Sequence, residues 1–229
     1  GDDTLSGGDG NDTIELGVQY MNDASGADSI TTGSGSDVVR FTGNVDIGTG
    51  AATGYTAFAH VTDFAVASDR LAFSAADVNF SLRTADGTAT TTTGLAKGAT
   101  AQGLAASDAM VVQTVAQNAV ATAGIADVSF IKLTTAVAFT TDVKGTFAAA
   151  LGSATLTGMA ANGNYLVSLY DTTAQRMVVG VVNTGGNADA DTILASSDFV
   201  NADIAIVGVV TMTAGDYAAF GAGQLAAAF

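Results

Sequence analysis

Large apolar residues follow two rhythms along this chain. Within the first forty positions one recurring place is taken by a single large apolar residue, Leu5, Ile14, Ile30 and Val39, and the stretches before it are rich in Gly, Asp, Ser and Thr. Such spacing predicts very short strands, each with one inward side chain, joined by tight turns. Beyond position 104 the rhythm changes to β-branched runs, "AMVVQTV", "VSFIKLT", "NYLVSLYD", "RMVVGVVN" and "DIAIVGVVTM", bounded by Gly, Asn and Asp. These predict longer strands, with a hairpin turning at Asp171 to Gln175.

Helix is expected in two places. Over 141–151, "TDVKGTFAAAL", Thr141 is the expected cap, Asp142 suits the positive end of the helix dipole, and Gly152 stops the run. A shorter helix is expected in "TAGDYAAF". The Thr- and Gly-rich stretch 84–103 is low in large apolar residues and is expected to be an exposed, mobile loop. The expected fold class is mainly β, in three units: a short parallel β-roll at 1–48, a capping segment at 49–83, and a strand-rich β domain at 84–229 with one or two short helices. "FTGNVDIG" at 41–48 is the expected last coil of the roll. The chain has no Pro where average usage near ~5% would give roughly a dozen, as suits long ladders that need every backbone donor.

Charge narrows the chemistry. Seven basic residues stand against 22 acidic ones, for a formal charge of −15, which argues against nucleic acid and anionic membrane and favours a cation as partner. With no Cys and one histidine, His60, thiolate and imidazole metal sites are poor prospects, whereas oxygen donors are abundant and suit calcium. A lone histidine reads as a packing or surface residue. The longest charge-free runs are broken by Gln, Asn and Thr, so no transmembrane segment is expected. No leader is visible, and the chain opens in the middle of a repeat.

That repeat is nine residues long. "GGDGNDTIE" at 7–15 fits the frame G-G-x-G-x-D-x-U-x at every position, U being a large apolar residue. "GDDTLS" at 1–6 supplies the end of an earlier copy, "DASGADSIT" at 23–31 keeps Gly26, Asp28 and Ile30, and "TGSGSDVVR" at 32–40 keeps Gly33, Gly35, Asp37 and Val39 with Thr32 in the first glycine's place. The glycine-rich six residues can bend tightly, and x-U-x makes a short strand, so two copies would complete one coil of a parallel solenoid. Stacked turns then bring glycine-turn carbonyls, at Gly8, Gly10, Gly26, Gly33 and Gly35, toward the carboxylates of Asp3, Asp12, Asp28 and Asp37. Together they would offer roughly six hard oxygens to a calcium ion. Without the ion the carboxylate row repels itself, so folding and binding should be coupled. The register depends on "LGVQYMN" at 16–22, which fits no copy. If it replaces a repeat, the favoured version, Asp12 and Asp28 share one side of the roll and Asp3 and Asp37 the other; a bulge there would break that pairing.

The nonapeptides resemble the RTX (repeats-in-toxin) family of calcium-binding repeats. The resemblance implies a β-roll, Ca2+ as cofactor, export by the type I secretion machinery, and folding outside the cell. "HVTDFAVASDRLAFSAADV" at 60–78 is similar to the segment that follows such repeats. In that reading Phe64 and Leu71 plug the roll and Asp63 and Asp69 are late calcium ligands; the alternative is a surface turn between strands. The apolar ending "DYAAFGAGQLAAAF" is similar to a type I export signal, and a final packed strand or helical turn serves equally well.

Within these residues there is no HExxH helix and no GxSxG elbow, and one His without Cys assembles no triad, so the segment is expected not to be an enzyme. The combination of calcium repeats, Ala/Thr/Gly/Val-rich strands and acidic charge resembles the C-terminal part of a bacterial surface-layer protein of the RTX type. That implies a secreted, cell-surface location and self-association. Alternatives are the RTX end of a large secreted adhesin, or of a secreted hydrolase whose catalytic domain lies upstream.

Overall fold

The computed structural model describes residues 3–16, 28–41, 59–75, 79–83, 89–100 and 103–229, the last apart from 121, 125, 141, 162, 185–191, 197, 198 and 200–203. It is mainly β. The repeats fold as short strands, β1 (Thr4–Asp9), β2 (Thr13–Leu16), β3 (Ser29–Ser34) and β4 (Val38–Phe41). Two later strands, β5 (His60–Val61) and β6 (Arg70–Phe73), complete a third coil. One row is β1-β3-β5 and the other β2-β4-β6, every pair parallel. The isolated apolar positions become ladders: Leu5, Ile30 and Val61 align in one row, and Ile14, Val39 and Leu71 in the other. Ile30, Val39, Val61 and Leu71 are fully buried. Phe41 and Phe73 stack at 5.3 Å beside them.

The register departs from the favoured expectation. Thr4 faces Ser29 and Thr13 faces Val38, so one coil takes up 25 residues. "LGVQYMN" therefore adds length to a coil and does not count as a repeat, and Asp3 stacks with Asp28 while Asp12 stacks with Asp37. Nonlocal strand pairing decides this, since either register keeps every apolar residue facing inward.

The first row does not end with the repeats. β5 also pairs in parallel with β16 (Ile204–Thr211), His60 facing Val209. The sheet continues through β14 (Arg176–Asn183), β13 (Asn164–Asp171), β11 (Val128–Leu133) and β9 (Val111–Val115), eight strands in the order β1-β3-β5-β16-β14-β13-β11-β9, while β10 (Thr122–Ala123), β12 (Leu156–Thr157) and β15 (Ile193–Leu194) form a small separate sheet. One sheet thus crosses all three expected units. Every residue of β11 and β13 is buried, because both faces of the sheet are covered. Leu166 and Tyr170 join the core beneath the roll; Val167 and Leu169 join a second core with Phe147, Ala150 and Leu151. Burial on both faces explains why these strands read as unbroken apolar runs.

The expected hairpin forms as β13 and β14, with Asp171 opposite Arg176. Helix α1 spans Val143–Leu151 and is capped by Asp142, whose side chain accepts from Gly145 N; expected cap Thr141 lies outside the described residues. Helix α2, Ala214–Ala219, carries a capping box between Thr213 and Asp216. The expectation of an exposed loop over 84–103 is overturned for 89–100, while 84–88 and 101–102 lie outside the described residues. β7 (Asn79–Arg83) pairs with β8 (Ala89–Thr93) there, and Leu95 and Ala96 are fully buried. A threonine run is β-branched, and that geometry favours a strand even without large apolar side chains. The expected last coil at 41–48 lies, beyond Phe41, outside the described residues.

After α2 the chain runs along β6. Leu225 bridges Leu71, Ala226 N donates to Leu71 O, and Ala75 N donates to Phe229 O. The apolar ending is therefore packed as an edge segment beside the roll, and Phe64 lies against Phe220 at 6.4 Å. Among the described residues no helix is long and apolar enough to cross a membrane.

Candidate metal centre

Two turns stack at the β1–β2 and β3–β4 junctions. Gly8 lies over Gly33 and Asp9 over Ser34. The turns are tied by Gly10 N to Ser34 O at 2.8 Å, Ser34 Oγ to Asp9 Oδ1 at 2.6 Å, and Ser36 N to Asn11 Oδ1 at 2.9 Å. Gly8, Gly10, Gly33 and Gly35 all hold positive φ, which the repeat's glycines supply without a Cβ penalty.

Each repeat aspartate sits where turn becomes strand. Its backbone amide, in Asp3, Asp12 and Asp37, donates to the carboxylate one coil further on: Asp3 N to Asp28 Oδ1 at 3.0 Å, Asp12 N to Asp37 Oδ1 at 2.8 Å, Asp37 N to Asp69 Oδ1 at 3.2 Å. Its carbonyl accepts from the next coil in turn, Asp12 O from Val38 N and Asp37 O from Arg70 N. The aspartate ladder is thus built from main chain on one side and one carboxylate oxygen on the other.

The second oxygen is where the first junction stands out. Asp12 Oδ2 and Asp37 Oδ2 are both buried and have no hydrogen-bond partner, and Asp37 as a residue is 0% exposed. A buried carboxylate oxygen without a donor costs about 1–3 kcal/mol, and more when charged. A Cβ built on Gly7 would lie 2.9 Å from Asp12 Oδ2 and would also run into Thr32 O. The glycine therefore keeps open a space bordered by a carboxylate oxygen and a carbonyl oxygen. An unpartnered carboxylate oxygen beside a carbonyl oxygen, in a space kept clear of side chains, fits a calcium ion, whose ligands are carboxylates and backbone carbonyls. Asp12, Asp37 and the carbonyls of this turn pair, that of Thr32 included, are the residues that fit it. Among the described residues no group of three or more His, Cys, Asp or Glu side chains converges on a metal position, so carbonyls must supply much of the shell.

The other expected ligands fall in three groups. Asp3 and Asp28 meet at the opposite end of the strands, and Asp28 is buried at 8% exposure. Asp63 and Asp69 lie in the third turn, where their oxygens accept from protein donors. Gly26 lies outside the described residues. Two participants escaped the sequence reading as site residues. Gly7 was visible as the first glycine of the intact repeat, and its role emerges from close approach to Thr32. Thr32 looked like a lost glycine, yet its carbonyl borders the first junction and its hydroxyl serves the next one.

Residues 1–19 and 20–47, about a fifth of the chain, match the RTX calcium-binding nonapeptide repeat (4 copies). No curated protein and no solved structure matches the chain. The match and the orphaned oxygens at the first junction agree on calcium as the ligand of the repeats.

Proposed function

We propose that this chain is a non-catalytic, calcium-dependent structural segment of a protein exported by a type I pathway and assembled into a bacterial surface layer. The observation that carries the reading is the pair of buried, donor-less oxygens of Asp12 and Asp37 inside repeats of the calcium-binding type. Calcium would supply the positive charge that this pair lacks, so the first coil closes where calcium is plentiful. Outside the cell it is plentiful, and that links the repeats to secretion. The formal charge of −15 supports an acidic partner surface that divalent ions can bridge between copies. The continuous sheet from the repeats to the distal hairpin supports a structural role for the whole segment.

The test is a calcium titration of the chain followed by far-UV circular dichroism, with light scattering in calcium and in chelator. The expected outcome is a gain of β signal on calcium addition, accompanied by large assemblies. Calcium-dependent folding into a strict monomer would remove the surface-layer part and leave the adhesin or hydrolase contexts. Identical folding in both buffers would remove the calcium reading itself.

A further inference from the structure

The junction between the second and third coils repeats the ladder with different chemistry. Its outer turn, Asp63 to Asp69, contains no glycine. Asp63 Oδ1 accepts from Thr32 N at 2.7 Å and Thr32 Oγ1 at 3.0 Å, and Asp63 Oδ2 accepts from Gly33 N at 3.0 Å. Asp69 Oδ1 accepts from Asp37 N and Ser68 Oγ, each at 3.2 Å, while its Oδ2 accepts from Ala65 N at 2.9 Å and lies 3.1 Å from Thr32 Oγ1, whose one proton it shares with Asp63 Oδ1. All four oxygens meet N–H or O–H donors. The positive ends of those donors stabilise the carboxylate charges and compete with a cation for the same lone pairs. The adjacent amides of Thr32 and Gly33 form a small anion cradle, and the chain fills it with its own carboxylate through charge-assisted bonds.

We propose that Asp63 and Asp69 are a metal-free lock that ends the calcium ladder and holds the third coil on the second without an ion. The inference rests on the calcium reading of the Asp12 and Asp37 junction. Its consequence is a division of labour inside one roll. Calcium governs the first coil, whose described part is residues 3–16, whereas the second and third coils stay folded without it, because the lock joins them and β5 is also paired to β16. The chain then carries a permanent template onto which the first coil folds when calcium arrives.

Amide hydrogen exchange of the full chain, in calcium and in chelator, tests this. Residues 4–16 are expected to exchange about tenfold or more faster in chelator, while 60–73 stay unchanged. Loss of protection at 60–73 in step with 4–16 overturns the lock. Uniform protection in both buffers with calcium demonstrably bound overturns it as well. Uniform protection with no calcium heat by calorimetry sinks the calcium reading on which it rests. A second variant separates ligand from lock: Asp63→Asn is expected to leave the number of bound ions per chain unchanged and to speed exchange at 60–73 in both buffers. Loss of one ion in Asp63→Asn would make Asp63 a ligand and overturn the proposal.

Discussion

The eight-stranded sheet has two unlike ends. At the distal end, β13 and β14 are eight residues each, their side chains packed on both faces, and the buried carboxylate of Asp171 is fully provided for: it accepts from Phe139 N, Thr173 N and Arg176 Nε. At the repeat end the strands are short and glycine-rich, and two buried carboxylate oxygens have no donor. The distal end closes its own polar accounts within the chain. The repeat end leaves one open, and an open account is what makes it responsive to an ion.

The sharpest way to break the comparison is to damage the turn stack directly. Gly35 holds φ +143°, and a Cβ there would run into Gly10 O of the preceding coil. Gly35→Ala is expected to abolish the calcium-induced gain of β signal while leaving the distal strands protected from exchange; an unchanged titration would show that the two turns need not stack. At the distal end, Asp171→Ala strips three donors of their acceptor and leaves Arg176 unpaired. We expect a loss of about 3 kcal/mol in urea unfolding, equal in calcium and chelator. A loss seen only in calcium would mean the ends are not separable in this way.

Asp37→Asn sharpens the contrast through a change of sign. In chelator the substitution removes an orphaned buried charge and should be neutral or stabilising. In calcium it removes a ligand, weakening affinity by about tenfold or more and lowering the midpoint of unfolding. Destabilisation of equal size in both buffers would make the oxygen structural.

The smallest effect is expected at the seam between the ends. His60 Nε2 lies 2.7 Å from Thr211 Oγ1, and burial, helped by the Arg176 charge, holds the imidazole pKa below its ordinary 6.5. Its unfolded form therefore takes up a proton first as pH falls. Its contribution is present above pH 6.5 and is lost on acidification through the lowered folded value. His60→Gln should flatten the pH dependence of stability in that window; an unchanged slope would assign the dependence to other groups.

Much of the repeat end was legible in the sequence because its code is local. Glycines at turn positions, an aspartate before the strand and one apolar residue after it specify turn, ligand type and inward face within nine residues. The helix ends were nearly as readable, although the first is capped by Asp142. The distal strands were legible as runs of β-branched residues. The threonine stretch was not, since low apolar content masked a strand whose neighbours Leu95 and Ala96 are buried.

What the amino-acid order determined by itself is the repeat, its calcium chemistry and the strand content, all set by residues near one another along the chain. What only the tertiary structure decided is which aspartates stack, that the roll and the distal strands share one sheet, and which carboxylates keep an oxygen free of donors. The reason is physical: a register of 25 residues and the pairing of β5 with β16 depend on contacts between distant segments. Whether a carboxylate calls for an ion depends on the donors those contacts bring to it.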